Sequence, residues 1–380
     1  MASLKVFFNT TRNHGNWTPV QRALLTKQKM VPQNVYVQYQ DYLPKIVNNT
    51  LSHKRFERLP EIVERIQKLA DYNIIGGKQL RGLLMLYAYE KLKKPDTLSE
   101  KQWEVSYKLA WAIEIMQAAI LIADDVDDEA VTRRGKKCWH LLPDVGKLVV
   151  NDCGLLRSFL YETLRPNFSD LSQFTQIIEL FNKAFLSTSI GQHLDSMITY
   201  IKNPHMFTEQ NYRKVSIYKT SHYTFRFPLS LAMIYAQKGT KKSFEYINNI
   251  GDEIGLNLQM QNDYMDCFID KDTMGKTSTD IAKGKLSWLA VQAIKLCNPA
   301  QHKEFKDCYG KEDPEFVQRV QNLYLDIKLP EICERIDKDR YDMILKQIKN
   351  LPDDSVPSSE IFLKALDLIY TKSQTIDYSK

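Results

Sequence analysis

The sequence predicts an all-α fold, and three observations carry that expectation. Glycine is sparse, 14 in 380 residues, while Leu, Ile, Lys, Gln and Ala, which enter helices at little cost, are plentiful. From Val35 onward apolar residues recur at helical steps, and no stretch alternates convincingly with period two. No Gly-rich nucleotide loop interrupts the pattern. We expect one large helical domain over 31–380. Residues 1–30 stand apart as a leader or a disordered tail, since the first forty residues lack Asp and Glu but carry Lys5, Arg12, Arg22, Lys27 and Lys29. The expected location is intracellular, cytoplasmic or mitochondrial.

Composition narrows the partners. The net charge of +6 comes without a Lys/Arg block or basic-aromatic interleaving, which argues against nucleic acid. Six scattered cysteines form no CxxC pair, so reduced thiols are expected and a zinc site is not. Every apolar run is broken by charge well short of the roughly 20 residues that cross a bilayer.

Along the chain, Leu59 to Leu69 is amphipathic and opens with Pro60, tolerated in a first turn. Asp71 to Gly77 breaks that helix, and Lys78-Gln79-Leu80-Arg81-Gly82 opens the next. Two basic residues three apart beside flexible amides read either as an anion cradle or as a solvated helix start. Ser99, with Glu100 and Gln102 behind it, caps a long helix running to about Asp128. On it Gln117, Asp124 and Asp128 share a face, since steps of seven and four return near the same angle.

The apolar run Ala118 to Ala123 meets four carboxylates within five positions, Asp124, Asp125, Asp127 and Asp128, with Arg133-Arg134 one or two helical turns on. Acids belong at helix N-termini, and this cluster sits at a C-terminal end. Such crowding costs stability unless a cation sits among the acids and an anion meets the arginines. Divalent metal plus phosphate answers both demands.

Further helices are expected from Pro143 to Leu164 and from Phe174 to Tyr200, the second carrying Gln192 and Asp195 on one face. Thr208 caps a helix that should end at Tyr218-Lys219-Thr220, before an aromatic run, Tyr223 to Phe227. A second acidic cluster follows in Leu256 to Asp270, where Asn262, Asp266 and Asp270 are spaced i, i+4, i+8 beside Asp263. The loop behind it bears Lys276 and Lys285. From Pro299 the pattern shows short helices and polar turns with no chemistry of their own.

Two facing carboxylate sets can hold Mg²⁺ ions, which bind through one or two carboxylates plus phosphate oxygens. They would screen a diphosphate and make it a leaving group. A unit charge pair at ~4 Å is worth about 4 kcal/mol at an effective dielectric near 20, so several such contacts supply a large part of an ionisation barrier. A dry pocket completes the requirement, with Ala118, Ala119, Ile120, Leu121 and the aromatics near Phe225 as lining.

These residues resemble a known family. From roughly Tyr36 to Ile369 the chain resembles the trans-isoprenyl diphosphate synthases, most closely the farnesyl diphosphate synthase type, including insect terpene synthases that look like its derivatives. The matching stretches are GGKQLRG (76–82), WAIEIMQAAILIADDVDDEAVTRRG (111–135), GQHLD (191–195), YKTSHYTF (218–225) and LQMQNDYMDCFIDKDTMGKTSTDIAKGKLSW (258–288). The resemblance implies a single helical bundle around a diphosphate and metal cavity, commonly a homodimer, using three Mg²⁺ ions, with Mn²⁺ or Co²⁺ as substitutes. It implies metal binding by Asp124, Asp128 and Asp195 with Asp125 in support, and a second metal motif at Asn262, Asp263 and Asp266. Arg133, Gln192, Lys219, Thr220, Gln259, Lys276 and Lys285 would hold the allylic diphosphate, with Asp124, Asp128, Arg133, Lys219 and Lys276 closest to catalysis. Lys78, Arg81, Gln117 and Arg134 match an isopentenyl diphosphate site.

Four departures bear on the reaction. Asn262 stands where the synthases usually have Asp, Leu80 replaces the usual Asn of GGKxNRG, and the final YTKSQTIDYSK lacks a basic tail. Ala119 and Ile120 replace the bulky aromatics that often floor the pocket, about 7.5 Å along the helix from Asp124. On these grounds the sequence favours a class I terpene synthase that ionises farnesyl diphosphate to a sesquiterpene hydrocarbon or alcohol. The alternative is a prenyltransferase condensing isopentenyl diphosphate with an allylic diphosphate, kept open by Lys78, Arg81, Gln117 and Arg134.

Overall fold

A computed structural model describes residues 30–201, 203–269 and 279–373. The leader expected at 1–30, all but its last residue, lies outside them, as do Asp270, Lys276 and the last seven residues of the tail. The chain is helical as expected: α1 (Gln33–Gln40), α2 (Tyr42–Leu51), α3 (Pro60–Asn73), α4 (Leu80–Lys93), α5 (Glu100–Asp127), α6 (Val149–Phe168), α7 (Phe174–Ile201), α8 (Glu209–Ser216), α9 (Phe227–Tyr235) and α10 (Lys241–Phe268). They are followed by α11 (Asp280–Lys283), α12 (Trp288–Leu296), α13 (Pro299–Cys308), α14 (Pro314–Asp326), α15 (Leu329–Lys349) and α16 (Ser359–Ser373).

The capping signals hold where the sequence placed them. Ser99 accepts from Gln102 N at 3.3 Å while Gln102 Oε1 accepts from Ser99 N at 2.9 Å, a full capping box on α5. Thr208 caps α8 through Asn211 N. The helix expected from Pro143 begins later, at Val149, because Gly146–Leu148 forms a tighter 3₁₀ turn first.

One expectation fails locally, and one element had no sequence signal. Beyond the end of α5, Thr132–Arg133 (β1) pairs antiparallel with Lys136–Lys137 (β2), the two strands among the described residues. The turn between them, Arg134-Gly135, has φ of 56° and 73°, the all-positive geometry that matches strand twist in a two-residue hairpin. The helix expected to stop at Lys219-Thr220 instead continues as a π-helical segment, Ile217–Arg226, joining α8 to α9. Two glycines permit this. A Cβ on Gly191 of α7 would lie 2.2 Å from Lys219 N, and one on Gly255 of α10 would lie 2.1 Å from Ser221 Oγ. Both flanking helices therefore press directly on the π segment.

The buried apolar residues form two clusters. One gathers α1 to α6, the first half of α7, Tyr223 and Phe225 of the π segment, α9, the first half of α10, the end of α15 and α16; the other gathers the ends of α7 and α10 with α8, α11 to α14 and the start of α15. Polar residues of α7 and α10, Gln192, Asp195 and Gln259, lie along the helices between the two clusters. Among the described residues no helix is long and apolar enough to cross a membrane.

Candidate active site

The first acidic cluster, the last turns of α5, meets cations from three elements. Lys219 of the π segment sits 3.2 Å from Asp124 Oδ1 and 2.7 Å from Asp195 Oδ2 of α7. Lys285, after α11, sits 2.5 Å from Asp128 Oδ1. Arg133 donates through Nη2 to Asp124 at 3.0 Å and through Nε to Asp125 at 2.7 Å. Asp125 is buried, so its carboxylate fixes the Arg133 guanidinium from behind. Asp127, exposed on another face, ties α5 to α7 by accepting from Gln192 at 3.1 Å and Ser196 at 3.3 Å.

Electrostatics follow from this crowding. Burial pushes Asp128 upward and Asp124 adds to it, while Lys219 and Lys285 offset part of the effect. Burial also pulls Lys219 down, but the Asp195, Asp124 and Asp128 carboxylates outweigh it and hold the ammonium well above its usual value. One ammonium thus reaches carboxylates from two helices. Among the described residues no three acidic side chains converge on one point. The donor set of hard carboxylate oxygens from α5 and α7 suits a divalent cation that completes its shell with phosphate and water.

The second acidic cluster is built differently. Asp263 is 4 % exposed and accepts Trp288 N at 2.7 Å, holding the start of α12; Gln259 Nε2 donates to its other oxygen at 2.7 Å. Asp266 is 3 % exposed and accepts the amides of Thr279 and Asp280, each at 3.1 Å, at the start of α11. Burial pushes the Asp263 carboxyl up to about 6. Asn262 is partly exposed. Thr220 joins the group by donating to Gln259 Oε1 at 2.6 Å.

A second cationic set surrounds the GGKQLRG loop. Arg81 donates to Gln117 Oε1 and to Thr224 Oγ1, both at 2.7 Å, and its guanidinium lies 4.0 Å from the Tyr223 ring centre. Arg134, aimed by the hairpin turn, donates to the carbonyls of Asn73 at 2.9 Å and Ile75 at 3.1 Å. It lies flat on Gly77, where a Cβ would meet Nη2 at 2.6 Å. Burial lowers the Arg134 pKa and the charges of Arg133 and Arg81 add to that, with Glu114 opposing. Lys78 is exposed on the same loop. A cleft of about 60 Å³ beside the loop is lined by Gly76, Ala118, Asp125, Arg133 and Arg134. Ala119 of the expected pocket floor is buried and Ile120 half-buried.

The structure therefore gathers Asp124, Asp125, Asp128, Arg133, Asp195, Lys219 and Lys285 in one constellation and places Arg81, Gln117 and Arg134 in another. Sequence reading missed Thr224 and the aromatic face of Tyr223 as partners of Arg81. The aromatic run hinted at Tyr223; nothing local marked Thr224. It also missed Gly191 and Gly255, whose role appears only when their helices meet the π segment.

Residues 63–327 match the polyprenyl synthetase family model, and the chain belongs to that family, the trans-isoprenyl diphosphate synthases. It is an enzyme of the isoprenyl diphosphate synthase class. Among its relatives, farnesyl pyrophosphate synthase of Nezara viridula is 33% identical over 81% of this chain and 76% of its own length. Farnesyl pyrophosphate synthase 2 of Arabidopsis thaliana is 33% identical over 81% of this chain and 91% of its own length. The human farnesyl pyrophosphate synthase is 32% identical over 94% of this chain and 87% of its own length.

Proposed function

We propose that this chain is a chain-elongating prenyltransferase that joins isopentenyl diphosphate to an allylic diphosphate. The observation that carries the reading is the second cationic set. Arg81 and Arg134 are held by neutral acceptors, an amide, a hydroxyl and two carbonyls, and remain available to an anion of their own. An enzyme that ionises one diphosphate needs one such cradle; this chain has two. The farnesyl pyrophosphate synthase relatives support the same reading over the cyclising one that the sequence favoured.

In this account Asp124, Asp128 and Asp195 would hold Mg²⁺, three ions in all, with Asn262 offering an uncharged amide oxygen and Asp263 and Asp266 keeping its helix end in place. Metal bound there would screen the diphosphate and lower its cost as a leaving group. Lys219, Lys285 and Arg133 orient the allylic diphosphate, with Thr220 and Gln259 beside them; Lys276 and Gln192 complete the proposed set. The allylic C–O bond breaks with its electron pair leaving on diphosphate. The isopentenyl double bond then forms the new C–C bond, and a proton is lost. Arg81, Arg134, Lys78 and Gln117 fix the second diphosphate so that its double bond faces the cation.

A second reading, a terpene synthase acting on farnesyl diphosphate, draws on Asn262 and on the small side chain of Ala119. One assay separates the two. Purified protein with Mg²⁺ receives farnesyl diphosphate alone or isopentenyl diphosphate with dimethylallyl or geranyl diphosphate. The condensing account expects longer prenyl diphosphates from the second mixture; a volatile hydrocarbon or alcohol from the first, with no condensation, overturns it.

Homodimerisation belongs to the same proposal. Leu186, Ile190, Met197 and Ile201 along α7 and Val150 at the start of α6 are exposed apolar side chains. Light scattering at micromolar protein should give twice the chain mass, and a monomer would contradict it. Cytoplasmic or mitochondrial placement is tested by a fluorescent fusion with and without residues 1–30; a relative from Arabidopsis thaliana is named as mitochondrial.

A further inference from the structure

We propose that Gln40 and Gln79 form a positioning pair that sets the isopentenyl diphosphate cradle; this rests on the reading of Lys78, Arg81 and Arg134 as that cradle. Gln79 lies between Lys78 and Arg81 and caps α4 with φ 54° and ψ 29°, the left-handed region. A non-glycine residue rarely adopts it without support from its surroundings. Glycine would take this conformation freely. Here the residue is Gln, 4 % exposed, and its side chain makes a reciprocal amide pair. Gln40 Nε2 donates to Gln79 Oε1 at 3.0 Å, and Gln79 Nε2 donates back to Gln40 Oε1 at 3.4 Å.

Gln40 is the last residue of α1, and α1 is fastened to the acid-bearing helix α5. Trp111 Nε1 donates to Tyr39 O at 2.6 Å, and the two rings stack at 4.5 Å. Tyr107 donates to Gln38 Oε1 at 2.8 Å. The far side of the loop is fixed to the same helix, because Gly82 N donates to Glu114 Oε1 at 2.9 Å. Both ends of the Lys78–Arg81 turn are thus referenced to the helix that carries Asp124, directly at Gly82 and through α1 at Gln79. The pair holds Gln79 in the left-handed conformation that aims Lys78 and Arg81. Helix α1 lies outside the residues that match the family model, so the match assigns it no role.

The test uses the full chain with three variants, Gln40→Ala, Gln79→Gly and the two combined. Calorimetric binding of isopentenyl diphosphate and steady-state KM for both substrates are measured, with Tm as a check on folding. Gln40→Ala should weaken isopentenyl diphosphate binding and raise its KM about tenfold, roughly 1.4 kcal/mol, while kcat and the allylic KM stay within about twofold. Adding Gln79→Gly should recover most of the loss, because glycine takes the left-handed conformation without a partner. Gln79→Gly alone should match the double variant, since Gln40 then has no partner to hold. Equal changes in both KM values, a fall in Tm without a KM split, or no recovery in the double variant overturns the inference. A wild-type chain that fails to bind isopentenyl diphosphate overturns the cradle reading itself, and the inference with it.

Discussion

The two acidic helix ends look alike in sequence and serve opposite ends in the fold. At the end of α5, Asp124 and Asp128 turn their carboxylates to side-chain cations from elsewhere, Lys219 and Lys285. At the end of α10, Asp263 and Asp266 are buried against main-chain amides that open the next two helices. A carboxylate paired with a flexible ammonium can accept a metal ion. One that satisfies buried backbone N–H groups is committed to structure. Among the described acids and amide of that helix end, Asp263 and Asp266 are buried, while Asn262 is partly exposed and offers an amide.

Substitutions can break this contrast. The largest expected effect is Asp124→Ala, which should lower metal-dependent turnover about 10³-fold, on the order of losing a preorganised electrostatic contact, with little change in Tm. Steady-state assay and thermal unfolding of the same preparation check this; near-normal turnover would erase the distinction. Asp263→Ala should show the reverse order. Leaving Trp288 N without its acceptor in a buried setting should cost about 1–3 kcal/mol of stability, read by denaturant unfolding.

Smaller effects sharpen the contrast. Asn262→Asp should raise condensation a few-fold by adding a charge to the exposed position; an unchanged rate would mean the amide serves equally well. The smallest is a pH effect. The folded Asp263 carboxyl keeps its proton to about pH 6, whereas an unfolded Asp releases it near about 3.9. The folded state binds more protons between these values, so this group's contribution makes stability fall as pH rises through that window. Metal-free wild type should therefore lose Tm relative to Asp263→Asn between about pH 4 and pH 6, and parallel curves would contradict it.

Much of this was legible in the sequence because it rests on local chemistry. Helical periodicity, the Ser99 and Thr208 caps and the face shared by Gln117, Asp124 and Asp128 all follow from nearest neighbours along the chain. The π segment did not follow, since its cause is the pressure of α7 and α10 at Gly191 and Gly255, distant in sequence. The hairpin at Arg134-Gly135 did not follow either; there two successive positive φ values reverse the chain. Asp263 and Asp266 sit three apart in the same acidic stretch as Asn262; only the arrival of α11 and α12 shows that their carboxylates cap those helices.

The contrast is tested most directly by Mn²⁺ binding, followed by electron paramagnetic resonance in the presence of inorganic pyrophosphate. Asp266→Asn, which keeps an acceptor for Thr279 and Asp280, should retain the bound Mn²⁺ of the wild type, whereas Asp124→Ala should lose most of it. Retention in Asp124→Ala together with loss in Asp266→Asn would contradict the account.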